Sequence, residues 1–190
     1  MQGKLIVLSA PSGSGKTTIM KYLLEAGLNL EFSISATTRQ PRGTEQDGVA
    51  YYFLSVEDFK RRIVQGDFLE YEEVYKDCFY GTLKTEIERI TGQGRNVVFD
   101  VDVLGGLNIK KQYPEQTLTL FIQPPSVEEL QKRLLHRATD CAEMIQKRVE
   151  KAAYEMTFAP QFDAIIVNDD LERARKKAET VIREFLSKKS

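Results

Sequence analysis

One short stretch limits the folds open to this chain, because an apolar segment runs directly into a glycine-rich turn and then into a helical pattern. Residues 5–18 read LIVLSAPSGSGKTT. A buried strand that ends in such a turn brings the unpaired N–H groups at the start of a helix against an anion. Gly13 and Gly15 allow backbone angles that a β-carbon disfavours. Lys16 can place an ammonium on the outer phosphates of a nucleotide, and the Thr17 hydroxyl can bind Mg²⁺.

This turn departs from the general phosphate-binding pattern at one position. Ala10 stands where that pattern has glycine, six residues before Lys16. An ordinary Gly/Ser turn between a strand and a helix is therefore the alternative interpretation. Strand, Gly-Lys-Thr and helix follow one another in the order that the motif requires, so the sequence predicts a P-loop.

Aliphatic segments and helical patterns alternate along most of the chain. The predicted strands are 5–8, 32–38, 68–75, 97–102, 118–122 and 164–167, and the predicted helices include 56–64, 83–90 and 170–187. A further helix follows Thr17 and ends near Gly27, and Ser55 is the expected N-cap of the helix at 56–64. Aliphatic strands separated by helices are typical of a parallel sheet covered on both faces. The sequence therefore predicts an α/β fold.

Two segments interrupt this alternation. Residues 33–88 form the longer interruption and 137–148 the shorter one. We interpret both as inserts over the phosphate site, because loops on a rigid scaffold often carry function. The predicted core then comprises 1–32, 89–136 and 149–190.

A second group of residues can bind an anion away from the P-loop. Arginine presents a planar fork of donors to phosphate oxygens, and tyrosine hydroxyls add donors without charge. The group comprises Ser35, Thr37, Thr38, Arg39, Arg42, Tyr51 and Tyr80. Two phosphate sites suggest two nucleotides. Arginines on an exposed loop are the alternative interpretation.

Glu70 lies in the predicted strand 68–75 among aromatic residues. A carboxylate accepts two hydrogen bonds from adjacent donors such as the N1–H and the amino group of guanine. Adenine lacks that pair of donors, so a carboxylate at a base pocket selects guanine. We interpret Glu72 and Glu73 as surface or structural residues, and the pattern alone does not settle the choice of Glu70 over them.

Asp100 and Asp102 lie at the end of the predicted strand 97–102. They are two residues apart from each other, so both lie on one side of the strand. The carboxyl ends of parallel strands are where α/β folds bind ligands. One aspartate can order the metal or its water shell, and the other can reach an acceptor pocket. Caps for the following turn and helix are the alternative role.

Arg133, Arg137 and Arg148 flank the short segment Ala138-Thr139-Asp140. Guanidinium groups brought in by a closing lid can neutralise the charge on a transferring phosphoryl group. Two exposed helix faces covered by arginines are the alternative.

Composition excludes several classes of function. Basic and acidic residues number 27 and 28, and the net charge of -1 gives no overall support for a nucleic-acid-binding surface. No uncharged apolar stretch reaches the roughly 18 residues of a membrane span. Cys78 and Cys141 have no metal-like spacing, and residues 1–4 do not resemble the start of a signal peptide. We expect a cytoplasmic protein.

Seven segments together resemble guanylate kinase, of the nucleoside monophosphate kinase family, over about residues 3–185. They are APSGSGKT at 10–17, SATTRQPR at 35–42, YYF at 51–53, FYGT at 79–82, DVD at 100–102, PPS at 124–126 and IVNDD at 166–170. Ala10 is itself similar to the usual form of that family. Two places depart from it. Residues 76–79 are one residue longer than the usual link, and His136-Arg137-Ala138 replaces Gly-Arg-Gly, which should stiffen the lid.

The resemblance implies a P-loop NTPase-type core, a GMP-binding insert at 33–88 and a lid at 137–148. Together with the motifs, it assigns ATP binding to Pro11, Ser12, Gly13, Ser14, Gly15, Lys16, Thr17, Thr18, Arg133 and Asn168. GMP would contact Ser35, Arg39, Arg42, Tyr51, Glu70, Tyr80, Thr82, Asp100 and Asp102. The catalytic residues would be Lys16, Arg39, Arg137 and Arg148, and Mg²⁺ would bind Thr17 and, through water, Asp100.

The implied reaction transfers the γ-phosphoryl group of ATP to GMP and gives ADP and GDP. We expect a monomer or homodimer that acts without nucleic acid or membrane. A kinase for another nucleoside monophosphate is one alternative. The other is a non-catalytic guanylate-kinase-like module that binds proteins. Such modules typically have damaged P-loops or acceptor sites, whereas Lys16, Thr17, Arg39 and Arg42 are intact here.

Overall fold

The structure, a computed structural model, describes residues 3–136 and 142–188. In chain order its elements are β1 (Leu5–Ser9), α1 (Lys16–Glu25), β2 (Leu30–Phe32), β3 (Ala36–Thr37), β4 (Tyr52–Phe53), α2 (Val56–Gln65), β5 (Phe68–Tyr75), β6 (Cys78–Leu83), α3 (Lys84–Gly92), β7 (Asn96–Asp100), α4 (Val103–Gln112), β8 (Thr117–Gln123), α5 (Val127–His136), α6 (Ala142–Met156), β9 (Ala164–Val167) and α7 (Leu171–Ser187). Strands and helices therefore alternate along the chain except between β2 and β6, where several strands follow one another, and at the consecutive helices α5 and α6.

Five strands form a wholly parallel sheet in the order β2-β7-β1-β8-β9. Side chains of β1 alternate between its two faces. Ile6 and Leu8 pack with α1 and α7, while Leu5 and Val7 pack with α3 and α4. All four side chains are fully buried. The predicted α/β fold, a parallel sheet covered by helices on both faces, is confirmed.

A smaller sheet has the order β4-β3-β6-β5 and contains one parallel and two antiparallel pairings. The fully buried Phe59 of α2 packs on it, stacked against Phe68 with 4.2 Å between ring centroids. This contact belongs to a separate apolar cluster, which gives the small sheet a core of its own. All four strands lie within 33–88, the range assigned to the GMP-binding insert.

Local sequence signals placed several elements correctly. The predicted strands at 68–75 and 164–167 coincide with β5 and β9. Ser55 caps α2, because its hydroxyl accepts a hydrogen bond from the Asp58 N–H at 3.0 Å. Asp170 caps α7 in the same way. A side chain that satisfies an otherwise unpaired N–H fixes the residue at which a helix begins, and such side chains can be found in the sequence.

The predicted single strand at 32–38 is wrong. Phe32 ends β2 in the parallel sheet, and Ala36 begins β3 in the smaller sheet. Between them, the Ile34 N–H donates to the buried carboxylate of Glu86 at 3.1 Å rather than to a neighbouring strand. Alternating apolar and small polar residues are typical of one strand, but they also suit a chain that passes from one sheet to another.

The sequence analysis did not predict the strand β6. Gly81 lies within it, and glycine is depleted in strands. A β-carbon at this position would lie 2.8 Å from the Glu70 carbonyl oxygen of β5. The glycine thus reflects a close approach of two backbones, which is visible only once the strands are paired.

Candidate active site

The turn after β1 leads into the first residues of α1. Gly13 and Gly15 have φ angles of 93° and 89°, in the left-handed region that residues with a β-carbon rarely adopt. Gly15 caps α1 without a side-chain hydrogen bond, and the first turn of the helix contains no acidic residue. The N–H groups and the positive end of the helix dipole are therefore available to an anion.

Asn168, the residue after β9, fixes this loop by a long-range contact. Its buried side-chain nitrogen donates to the Ser14 carbonyl at 2.7 Å, across 154 positions of the sequence. Arg133 of α5 donates to the Asn168 carbonyl at 3.1 Å. A β-carbon at position 15 would overlap the Asn168 amide. Asn168 and Arg133 thus support the shape of the loop.

The loop borders a cavity of about 380 Å³, which we call the P-loop cavity. Its walls come from the loop, from the carboxyl end of β7 and from α6. They comprise Ala10, Pro11, Ser12, Gly13, Gly15, Lys16, Thr17, Thr18, Asp100, Val101, Asp102, Arg148, Lys151 and Glu155. The cavity lies at the carboxyl ends of the neighbouring strands β1 and β7, where parallel sheets bind ligands.

Two aspartates at this edge of the sheet have different partners. Asp100, the last residue of β7, forms an ion pair with Lys16. Asp102 lies beyond the strand and caps α4, because its Oδ1 accepts from the Gly105 N–H at 2.7 Å. The predicted strand at 97–102 therefore ends two residues early, and the alternative of a helix cap holds for Asp102.

A second cavity, of about 200 Å³, lies between the small sheet and the carboxyl end of β7. We call it the carboxylate cavity. Its walls comprise Ser35, Tyr51, Glu70, Glu72, Val74, Tyr80, Gly81, Asp100, Val101, Asp102 and Lys151. Four of these residues, Asp100, Val101, Asp102 and Lys151, also line the P-loop cavity. Ligands bound in the two cavities would meet at this shared wall.

Glu70 is held in place by Thr82 of β6, whose hydroxyl donates to its Oε1 at 2.7 Å. Burial raises the pKa of Glu70, and the hydrogen bond from Thr82 opposes that rise. A buried carboxylate with few donors around it is stabilised strongly by donors on a ligand. Glu70 is therefore suited to bind the N–H groups of a base.

Glu72 lies two residues along β5 from Glu70, on the same face of the strand. A hydrogen bond to Asp102, burial and the negative charge of Asp102 together raise the pKa of Glu72 to about 7. Two carboxyls so placed bind a proton between them more readily than either would alone. Glu72 is exposed, as the sequence interpretation had it, and it also lines the wall of the carboxylate cavity.

Arg39 packs against the aromatic side of the carboxylate cavity. Its guanidinium lies 5.0 Å from the centroid of the Tyr51 ring, and its Nε donates to the Tyr80 hydroxyl at 3.2 Å. Its two terminal nitrogens donate to Glu45 at 2.7 and 3.0 Å. Glu45 also accepts from the backbone N–H of Arg42 at 2.8 Å. These donors, that of Arg39 first, lower the pKa of Glu45 to about 2.

Comparison with known families settles what kind of protein has this site. The family model described as guanylate kinase matches residues 2–185. The chain belongs to the guanylate kinase family. The resemblance inferred from the sequence motifs is confirmed.

Individual guanylate kinases are similar to the chain over nearly its whole length. The guanylate kinase of Bacteroides thetaiotaomicron is 62% identical over 188 residues, which cover 99% of this chain and 92% of that protein. The guanylate kinase of Porphyromonas gingivalis is 54% identical, with 97% and 99% covered. The crystal structure of guanylate kinase from Anaplasma phagocytophilum matches with a TM-score of 0.76 at 31% identity, over 98% of this chain and 87% of that one.

The guanylate kinase site residues predicted from sequence fall into groups by position. Those in the wall of the P-loop cavity are Pro11, Ser12, Gly13, Gly15, Lys16, Thr17, Thr18 and Arg148. Those in the wall of the carboxylate cavity are Ser35, Tyr51, Glu70 and Tyr80, and Asp100 and Asp102 line both cavities. Ser14, Arg39, Arg42, Thr82, Arg133 and Asn168 line neither cavity. Arg137 lies outside the described residues, together with the rest of 137–141 in the predicted lid.

Four residues at or beside the two cavities were not selected from the sequence. They are Glu72, Lys151 and Glu155 in the cavity walls, and Glu45, which accepts from Arg39. Alternation along β5 places Glu72 on the same face as Glu70, so that signal was present. Lys151 and Glu155 follow Arg148 on α6 at helical spacing, so the helix period links them to a residue that was predicted. For Glu45, closeness to Arg39 in sequence is the one available hint.

Proposed function

We propose that the P-loop cavity binds ATP and the carboxylate cavity binds GMP. The γ-phosphoryl group is then transferred from one nucleotide to the other beside the wall that the two cavities share. The reaction is that of the guanylate kinase family, a nucleotide-binding transferase reaction in which ATP and GMP give ADP and GDP. The wall common to the two cavities carries the proposal. At this shared wall, two bound nucleotides would have their phosphates facing each other. Fixed alignment of two reactants makes the reaction effectively intramolecular.

On the donor side, the backbone and one lysine hold the phosphates of ATP. The N–H groups at the start of α1 bind phosphate oxygens, with the helix dipole in support. When ATP binds, the Lys16 ammonium, which pairs with Asp100, also contacts the outer phosphates. Arg148 approaches the other side of the loop, where its Nη1 lies 3.5 Å from the Ser12 Oγ.

On the acceptor side, Glu70 binds the guanine base and the arginine-tyrosine group binds the phosphate. Guanine offers two adjacent donors to the Glu70 carboxylate, which is fixed by Thr82. Tyr51 and Tyr80 line the cavity and position Arg39 through ring and hydroxyl contacts. Arg42 and Ser35 complete the predicted contacts to GMP.

The transfer itself needs one bond to form and one to break. An oxygen of the GMP phosphate bonds to the γ-phosphorus of ATP, while the bond from that phosphorus to the β,γ-bridging oxygen breaks and ADP leaves with the electron pair. The attacking oxygen is already anionic, so no general base is needed. Catalysis then consists of alignment, neutralisation of charge and exclusion of water.

The oxygen donors beside the P-loop fit Mg²⁺. The Thr17 hydroxyl and the Asp100 carboxylate both line the P-loop cavity. Mg²⁺ prefers oxygen ligands and retains several waters, so Thr17 would bind it directly and Asp100 through water. When bound, the ion neutralises charge on the β- and γ-phosphates.

The substrate assignment is tested by measuring ADP formation from Mg·ATP with GMP, dGMP, AMP, CMP, UMP and dTMP supplied one at a time. We expect turnover with GMP, equal or slower turnover with dGMP, and at least about 100-fold less with AMP, since adenine offers Glu70 no pair of donors. Fastest turnover of another monophosphate would identify a kinase for that nucleotide. Measurable GMP binding without turnover of any acceptor would indicate a non-catalytic module.

We also propose an oligomeric state and a cellular location for the chain. Both cavities are built from one chain, so a monomer or a homodimer can carry them. Among residues 3–136 and 142–188, no helix is both long and apolar enough to cross a membrane. We place the reaction in the cytoplasm, where both nucleotides are available.

A further inference from the structure

The helix α6 presents three charged residues to the wall shared by the cavities. Arg148, Lys151 and Glu155 have the spacing i, i+3, i+7, so they fall on one face of the helix. All three line the P-loop cavity. Lys151 also lines the carboxylate cavity, so it is the residue of this face that borders both.

The charges around the carboxylate cavity give Lys151 a distinctive position. In the described part of the chain, its wall carries four acidic residues, Glu70, Glu72, Asp100 and Asp102, and Lys151 as the single basic residue. A nucleotide phosphate that approaches such a wall is repelled unless a cation lies beside it. Lys16 forms an ion pair with Asp100 from the P-loop side. Lys151 is the cation of the wall that the two cavities share.

The Lys151 ammonium is only weakly engaged by its neighbours. Its Nζ lies 3.9 Å from the Glu155 Oε1, and 68% of its side chain is exposed. An exposed ion pair of this kind contributes little to stability. Burial raises the pKa of Glu155, and the charge of Lys151 opposes that rise. A lysine with a long, flexible stem and a weak partner can reorient toward a phosphoryl group.

We propose that Lys151 binds the phosphoryl group while it passes from ATP to GMP, as a third cation beside Lys16 and Arg148. This inference rests on the proposed function. During transfer, negative charge is spread over the three outer oxygens of the γ-phosphoryl group as the bond to ADP breaks and the bond to GMP forms. Neither nucleotide alone places that group at the shared wall. Lys151 therefore stabilises the transfer more than it stabilises the binding of either substrate.

The test replaces Lys151 by methionine, which keeps the unbranched side chain up to the position of Cε and removes the charged amino group. Lys151→Arg restores a positive charge. Lys147→Met is the matched control, since Lys147 lies on the same helix with 65% of its side chain exposed, pairs with Glu143 and lines neither cavity. For each full-length variant, kcat and the KM values for GMP and Mg·ATP are measured.

We expect Lys151→Met to lower kcat about tenfold or more and to change both KM values less than about threefold. Lys151→Arg should recover most of the lost kcat, and Lys147→Met should stay within about twofold of the parent enzyme. A kcat of Lys151→Met within twofold of the parent would overturn the proposal. An equal loss through KM alone, or no recovery with arginine, would overturn it as well.

A binding measurement separates this inference from the proposed function. An adenosine–guanosine pentaphosphate, in which one phosphate chain links the two nucleosides, spans both cavities and needs no turnover. Calorimetry should show that Lys151→Met weakens this compound about tenfold, while GMP alone binds within about threefold of the parent. Equal weakening of both ligands would contradict a role for Lys151 at the shared wall. Absence of turnover in the parent enzyme would instead contradict the proposed function.

Discussion

The P-loop cavity and the carboxylate cavity share a wall, yet the chain builds them in opposite ways. One run of sequence, residues 10–18, supplies most of the P-loop cavity. The carboxylate cavity takes its residues from the approaches to β3 and β4, from β5 and β6, from the end of β7 and from α6. The first site is largely encoded by local sequence. The second exists only when the two sheets lie against each other.

This contrast separates the binding of any phosphate from the selection of one base. Backbone N–H groups at the start of a helix donate hydrogen bonds to phosphate groups of many compounds, so a glycine-rich loop is enough to create the first site. A base is selected by side chains whose hydrogen-bonding groups stay unpaired with the wrong ligand. We propose that role for Glu70, whose position depends on Thr82 in the neighbouring strand. On this proposal, selectivity depends on the pairing of β5 with β6.

The largest effect should come from damage to the P-loop cavity. Lys16→Met removes the cation that pairs with Asp100 and that we propose to bind the outer phosphates of ATP. We expect kcat to fall about 1,000-fold, because a preorganised charge at the transferring group is lost. Calorimetric affinity for GMP should change less than about threefold, since the acceptor contacts remain.

The matched control for this variant is Lys21→Met, an exposed lysine on the same helix, α1, that lines neither cavity. Its kcat should equal that of the parent. If Lys16→Met weakened GMP as strongly as it slowed turnover, the two cavities would not be separable and the comparison would fail.

The next effect in size should come from the base side of the carboxylate cavity. Glu70→Gln keeps the shape of the side chain but replaces one acceptor oxygen by a donor. We expect kcat/KM for GMP to fall about 30-fold and the preference for GMP over AMP to shrink, because a hydrogen bond to a charged group is lost. The KM for Mg·ATP should stay within about twofold of the parent value.

Glu88→Gln, at an exposed position of α3, is the control for this change. Competition assays with GMP and AMP measure the preference directly. An undiminished preference in Glu70→Gln would remove Glu70 from the base site and would leave Glu72 as the carboxylate to examine.

The smallest effect should come from the phosphate side of the same cavity. Glu45→Gln weakens the pair of hydrogen bonds that fixes Arg39 beside Tyr51 and Tyr80. We expect GMP to bind about threefold more weakly, because the glutamine oxygen of the variant can still accept one hydrogen bond from Arg39. Titration calorimetry with GMP measures it. Tighter binding would show instead that Glu45 competes with the phosphate for Arg39.

Sequence reasoning succeeded where a local signal fixes local structure. The P-loop, the cap Ser55 and the strand β9 are all of this kind, because each depends on neighbours in the chain. It failed at 32–38, where the same alternation suits two short strands in different sheets. The four strands of the small sheet include two of only two residues, too short for a pattern to show.

The candidate site divides along the same line. Glu70 was selected for its chemistry, whereas Glu72 was set aside because only the folded cavity shows that Asp102 lies beside it. Helical spacing links Lys151 to Arg148, but only the position of α6 against the end of β7 shows that Lys151 borders both cavities. A residue whose role depends on a neighbour distant in the sequence cannot be recognised from the residues next to it in the chain.

The P-loop is encoded by local sequence, but its shape also depends on a distant residue, because the Asn168 side chain donates to the Ser14 carbonyl. During synthesis from the amino terminus, the loop is made early, but it lacks this bond until residue 168 has left the ribosome and β9 has joined the sheet. The nascent chain therefore carries the complete motif long before it has a finished phosphate site. We therefore expect nucleotide binding to reach its full strength only after β9 has joined the parallel sheet, because the bond that fixes the loop forms at that step.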